Sequence, residues 1–218
     1  NTKYHLIFVV NHCLFAYNQA FEAGGALSIS QTLSTKISNS LLFQNKAYIS
    51  GGGIFAHKIN TILIFNTVFL KNKIHKNKQK CVSHNLEQAL LNVGGSLFIR
   101  NQKQVNSSKA ILINCKFAQN TARYGGVASF INMSYIINRN CSFIMNQATC
   151  AAGVIYINHC NSVFNVKTIF WKNSVLQGFK NADEYELDLS GGAILAMGTN
   201  LLRNNKCLFI KNTGVGSG

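Results

Sequence analysis

The sequence predicts an all-β chain wound as a right-handed parallel β-helix, about seven rungs of 26 or 27 residues with three short strands to a rung. Three observations predict it. A Phe-x-x-Asn motif recurs from one end of the chain to the other, a glycine pair precedes it at a fixed distance, and the apolar runs between are of strand length.

The motif appears as Phe15-x-x-Asn18, Leu42-x-x-Asn45, Phe69-x-x-Asn72, Phe117-x-x-Asn120, Phe143-x-x-Asn146, Phe170-x-x-Asn173 and Phe209-x-x-Asn212. Successive apolar positions are 27, 27, 48, 26, 27 and 39 residues apart, so two units are longer than the rest. Gly25, Gly52, Gly126, Gly153 and Gly192 each lie 17 residues before the next motif's apolar residue, and Gly95 lies 22 before Phe117. A constant offset repeated this often is a structural repeat rather than a composition effect.

Each unit offers three strands. One follows the glycines (Ala26-Leu27-Ser28-Ile29, Val154-Ile155-Tyr156-Ile157), a second precedes the Phe (Ile62-Leu63-Ile64-Phe65, Ala110-Ile111-Leu112-Ile113), and the third contains the Phe. No run in the regular units is long enough for an amphipathic helix. Rungs stacked at the spacing of paired strands, about 4.8 Å, give a rod on the order of 30 Å long, right-handed as parallel crossovers almost always are.

Asn18, Asn45, Asn72, Asn120, Asn146, Asn173 and Asn212 then superimpose in one corner and are expected to form an amide ladder, since Asn accepts left-handed backbone angles and its amide can bond the copy above and below. A second, partial ladder is expected at Asn39, Asn66, Asn114 and Asn140, where His12, Lys167 and Lys206 fill the other units. Proline is absent, so Asn and Gly must build the turns.

Cys13, Cys115, Cys141 and Cys207 each stand two residues before the Phe, on the same inward face. Cys115 and Cys141 are in consecutive units and form the candidate disulfide, although buried thiols acting as small hydrophobes are the plainer reading. Seven cysteines without a CxxC pair argue against a zinc ribbon. His75, Cys81 and His84 match no standard metal spacing and read as a solvated loop.

The chain reads as a single β-helix domain, 1–218, with insertions at 73–93, 102–107 and 174–190. It stops on Gly214-Val215-Gly216-Ser217-Gly218 as though another repeat were beginning, and is expected to be a segment of a longer protein. The two larger insertions leave the same corner, between Asn and the glycine pair, and loops on one edge of a solenoid commonly form its contact surface. The first carries Lys73, Lys76, Lys78 and Lys80; the second carries Asp183, Glu184, Glu186 and Asp188. Sequons at Asn106, Asn132 and Asn140 are candidate glycosylation sites, with Asn106 expected exposed and Asn140 expected less accessible.

A formal charge of +15 arises from 21 basic and six acidic residues in a chain only 12% charged but 47% hydrophobic, and about one residue in eight is Asn. Lys, Asn and Ile enriched together reflect base composition, and the lysines are scattered, so nucleic acid is not the expected partner.

Phe-x-x-Asn combined with Gly191-Gly192-Ala193-Ile194, and more loosely with Gly24-Gly25-Ala26-Leu27, resembles the repeat pair of the chlamydial polymorphic outer membrane proteins. Similar repeats occur in large surface proteins of some microbial eukaryotes, to which the Asn and Lys bias is closer. The resemblance implies a right-handed β-helix on a cell surface, engaged in adhesion, and implies no catalytic residue. β-Helices also include pectate lyases and polygalacturonases, whose chemistry needs clustered carboxylates. Four of the six carboxylates here fall in one insertion and Glu22 and Glu87 are isolated.

The expectation is therefore a non-enzymatic extracellular rod, structural or adhesive, that polymerises end to end into surface fibres. The alternatives are a surface adhesin module for a glycan, host or matrix ligand, and a polysaccharide lyase or hydrolase. No catalytic residue, metal or cofactor is expected. The expected partners are further copies of the chain, other surface proteins or glycans, with any membrane anchor outside this segment.

Overall fold

The computed structural model describes residues 6–75, 93–102, 107–176 and 191–214. Among them the regular elements are all β-strands, and every strand pairing is parallel, in stacked sheets of eleven, seven and six strands. The seven-stranded sheet follows the chain directly, from Leu14–Ala16 through Leu41–Phe43, Val68–Leu70, Lys116–Ala118, Ser142–Ile144 and Ile169–Trp171 to Leu208–Ile210. Its register sets Phe15 beside Leu42, then Phe69, Phe117, Phe143, Phe170 and Phe209. The two long units rejoin that register without a slip, because a shift of one residue would turn every inward Phe outward.

The strand before the Phe and the strand after the glycines belong to one sheet, not to separate faces. In the early units they are fused into single strands, Leu27–Ser38 and Ile54–Phe65, paired over most of their length. From there the sheet divides into two arms. Leu97–Arg100, Ala128–Ile131, Ile155–Asn158 and Ile194–Met197 form one; Lys109–Ile113, Tyr135–Arg139, Ser162–Val166 and Leu201–Asn205 form the other. Left-handed residues separate the arms, Asn132 at φ 55° and His159 at φ 50°.

The third face is a six-stranded sheet made of the residues that follow each ladder Asn: Gln19–Ala20, Lys46–Ala47, Lys73–Ile74, Thr121–Tyr124, Gln147–Ala151 and Ser174–Val175. Lys73–Ile74 and Ser174–Val175, expected within the insertions 73–93 and 174–190, are strands of this sheet. The remainder of those insertions, 76–92 and 177–190, lies outside the described residues, as do 103–106.

The interior is a set of columns. Phe69, Phe117, Phe143 and Phe170 are fully buried and stack nearly parallel, with centroids 4.6, 5.0 and 5.0 Å apart, and Phe209 continues the column at 4.5 Å. A second column runs Val10, Ile37, Ile64, Leu112. Burying one such side chain contributes roughly 1.5–3 kcal/mol, so each added unit brings its own stabilisation.

The glycine pair divides two tasks. The first member takes the left-handed region, as at Gly51 (φ 60°) and Gly125 (φ 59°), and Ala152 fills that role at φ 55°. The second must lack a side chain because the next unit passes too close: a Cβ on Gly126 would lie 2.5 Å from the Gly153 carbonyl oxygen and 2.6 Å from that of Gln147. A Cβ on Gly125 would meet the Ala128 carbonyl oxygen of its own turn at 2.3 Å, so the first member is crowded by its own unit and the second by the next. Gly125→Ala and Gly126→Ala are each expected to cost about 3 kcal/mol by backbone overpacking; thermal unfolding checks this, and a loss below about 1 kcal/mol in either would contradict it.

Candidate functional site

The most ordered polar array in the molecule is the corner after the Phe. The Asn18 backbone N–H and Nδ2 donate to Asn45 Oδ1 at 3.1 and 2.9 Å, and Asn45 repeats both bonds to Asn72 Oδ1 at 3.0 and 2.9 Å. The pattern continues through Asn120, Asn146, Asn173 and Asn212. Each Nδ2 from Asn45 onward also donates to the carbonyl of the motif's apolar residue in the preceding unit, as Asn120 does to Phe69 at 3.0 Å. An Asn amide offers two donors and two acceptor sites, and from Asn45 to Asn173 all four are used in a buried position. A residue in left-handed backbone precedes every one of them, from Tyr17 (φ 60°) to Lys211 (φ 52°).

Asn39, Asn66, Asn114 and Asn140 form an outer ladder that runs the other way. Each Nδ2 donates to the Oδ1 of the unit before, at 3.0–3.2 Å, and the series ends on Asn11 rather than His12. Their left-handed backbone, φ 48–53°, turns these side chains outward. Asn140 is consequently exposed despite its ladder contact, contrary to the expectation from sequence, while Asn132 is half-buried and donates to the Asn101 carbonyl at 2.9 Å. Asn106 lies outside the described residues.

A third ladder was not foreseen. Asn138, Asn165 and Asn204 replace the aliphatic residues of the second core column, and Nδ2 donates to the next Oδ1 at 2.7 Å in both steps. Asn138 and Asn165 are fully buried. The Oδ1 of Asn138, which faces Leu112, finds no hydrogen-bond partner among the described residues. The signal was in the sequence as Asn five residues before Phe143, Phe170 and Phe209.

Cys115 and Cys141 are brought together, as free thiols rather than a disulfide. Each Sγ donates to backbone carbonyls, Cys115 to Ile113 and Ile64 and Cys141 to Arg139 and Leu112, at 3.3–3.5 Å. The hydrogen bond with Cys115, and then burial, push the Cys141 thiol well up; burial pushes Cys160 up to about 11. Cys141 and Cys160 so held stay protonated near neutrality, while the hydrogen bond with Cys141 moves the Cys115 thiol the other way, below its usual range. Cys150 is disulfide-bonded, and Cys81 lies outside the described residues.

Of the charged contact residues, Lys73 is exposed on its strand and lines a groove with Lys46 and Lys71. Lys76, Lys78, Lys80, Asp183, Glu184, Glu186 and Asp188 lie outside the described residues. His75 packs its ring on Tyr48 with centroids 4.5 Å apart. Among the described residues no group of three or more His, Cys, Asp or Glu is placed to hold a metal ion, and no helix is long and apolar enough to cross a membrane.

Compared with known proteins, the chain matches no family model, no curated protein and no solved structure.

The inner ladder makes a specific demand on its residue type. Asn120→Ala strips partners from Asn72, Asn146 and the Phe69 carbonyl at once, and should cost about 3 kcal/mol or more. Asn120→Asp keeps the acceptor but cannot donate when ionised, and burial raises its pKa above the unfolded value of about 3.9. That variant should be most stable in acid and lose stability as pH rises beyond about 4. Thermal melts from pH 3 to 7 test the sign; a flat profile would rule out a closed ladder at Asn120.

Proposed function

We propose that the three sheets are the faces of one right-handed parallel β-helix of about seven rungs of 26 or 27 residues, and that the protein is a non-enzymatic extracellular rod. Its repeat resembles that of the polymorphic outer membrane proteins, and the microbial-eukaryote surface proteins are the nearer parallel. The work of such a rod is geometric: stacked units give stiffness, while outward side chains and loops make contacts.

The observation that carries this reading is the self-complementary ladder. Each step from Asn18 to Asn212 repeats the same pair of bonds in one direction, and the Phe column repeats with it. A stack in which each level presents the donors and acceptors that the next one takes is extended by further levels of the same kind, whether in the same chain or in a second copy.

Electron microscopy of the protein from its native source tests the polymer. Fibres are expected, with an axial repeat that is a whole multiple of about 4.8 Å. Asn18→Asp with Asn212→Asp, which sets like charges against each other where the ladder would pass from one copy to the next, should leave the circular dichroism spectrum unchanged and abolish the fibres. Discrete rods in the unaltered protein would overturn end-to-end assembly and favour the isolated adhesin module.

A further inference from the structure

Beside the buried Asn ladder, a groove of about 470 Å³ runs along the side of the first four units, a volume in the range of ligand pockets. Its walls are set by the ladder. The residues just before each Asn form one wall, where Tyr17, Gln44, Lys71 and Gln119 all hold φ between 52° and 60°. The residues just after form the other, where Gln19, Lys46, Lys73 and Thr121 pair in sequence across the six-stranded sheet. The buried Asn between them fixes both directions, so the groove is built rather than left over.

Its chemistry is one-sided. Lys46 and Lys73 are direct strand partners, and like charges so placed repel. Lys71 adds a third cation on the facing wall, and no carboxylate lines the groove. Glu22 is the one carboxylate among the described residues, and it stands outside the groove. The remaining lining groups are amides and hydroxyls suited to sugar hydroxyls.

An aromatic column adjoins the second wall. Phe21, Tyr48 and His75, each three residues after a ladder Asn, stack with centroids 5.7 and 4.5 Å apart, and Phe21 is 81% exposed. Gln19 Nε2 donates to the Tyr48 hydroxyl at 3.2 Å, and Lys46 Nζ lies 4.8 Å from the Tyr48 ring centre, tying column to groove. The rings cover one another's faces, so the column presents a strip of apolar ring edges along the same axis as the lysines, which the C–H groups of a pyranose can pack against.

We propose that this groove and strip bind an acidic polysaccharide lengthwise, its carboxylates or sulfates on Lys46, Lys71 and Lys73, its hydroxyls on Gln19, Gln44, Gln119 and Thr121, and its C–H groups along the edges of the aromatic column. A nucleic acid strand fits less well, since such channels combine basic residues with successive base-stacking aromatics inside the channel, and Tyr17 is the groove's single aromatic. The inference goes beyond the rod reading and stands on other residues, so a chain that never polymerises still tests it.

The test is calorimetric titration of the whole chain with polygalacturonate, dextran sulfate, neutral dextran, polyuridylate and inorganic polyphosphate. Both acidic sugars, or one of them, should bind more tightly than the two phosphate polymers, and neutral dextran should not bind. Lys46→Gln/Lys71→Gln/Lys73→Gln introduces residues that the repeat already uses at Gln19, Gln44 and Gln119, so it should fold. It should weaken the acidic sugar by about tenfold or more, the scale of one lost charge-assisted hydrogen bond. The charge-matched variant Lys116→Gln/Lys167→Gln/Lys206→Gln, away from the groove, should weaken it by about twofold at most, since it changes only the screened general field. Tyr48→Ala should weaken the sugar severalfold and leave polyphosphate unchanged. Equal losses in the two lysine variants, or phosphate polymers binding as well as the sugars, would overturn the proposal.

Discussion

Everything in this molecule rests on one constraint: each interior residue is stacked on the residue at the same position one unit away. Only groups that pair well with themselves can occupy such a column. The Asn amide does so because its donor and acceptor ends lie at the distance needed to bond the next copy, and the ladder here also captures a backbone N–H and a carbonyl at each step. Phe does so by offset parallel stacking, within 13° of coplanar throughout the column. Leucine at position 42 shows that shape is negotiable in that column, whereas the Asn at the adjoining corner is present in every copy.

The same rule explains which features could be read from the sequence. A column occupied by one residue type has a visible period, so the Asn corner, the Phe face and the register of the seven-stranded sheet were all legible as spacing. Columns of mixed occupancy were not. Asn138, Asn165 and Asn204 follow four aliphatic residues in their column, and the change of chemistry hides the common position. The six-stranded sheet escaped notice because strands such as Lys46–Ala47 are too short to show alternation. The outward turn of Asn140 depended on a backbone angle, which spacing does not encode.

Asn138 also marks where the column rule is broken at a cost. Its Oδ1 meets Leu112, an apolar neighbour, and has no hydrogen-bond partner among the described residues. An unsatisfied buried acceptor costs roughly 1–3 kcal/mol, offset by the 2.7 Å bond that Asn138 Nδ2 donates to Asn165 and the one that Asn165 donates to Asn204. The junction between an apolar and an amide column is thus a locally weaker step in an otherwise repeating stack, and a place where cooperativity along the units is reduced.

Lysine is the residue that self-stacking serves worst. Lys46 over Lys73 brings identical charges to neighbouring strand positions, and six carboxylates in the whole chain are too few to neutralise 21 basic residues from within. Long side chains splay to relieve this, and the cation over the Tyr48 ring is one such escape. What splaying cannot remove is the shared axis: Lys46 and Lys73 stay one strand interval apart, and Gln19 and Thr121 on either side hold the column to that one charged step. Stacking thus tolerates a short run of like charge and breaks it with neutral hydrogen-bonding side chains.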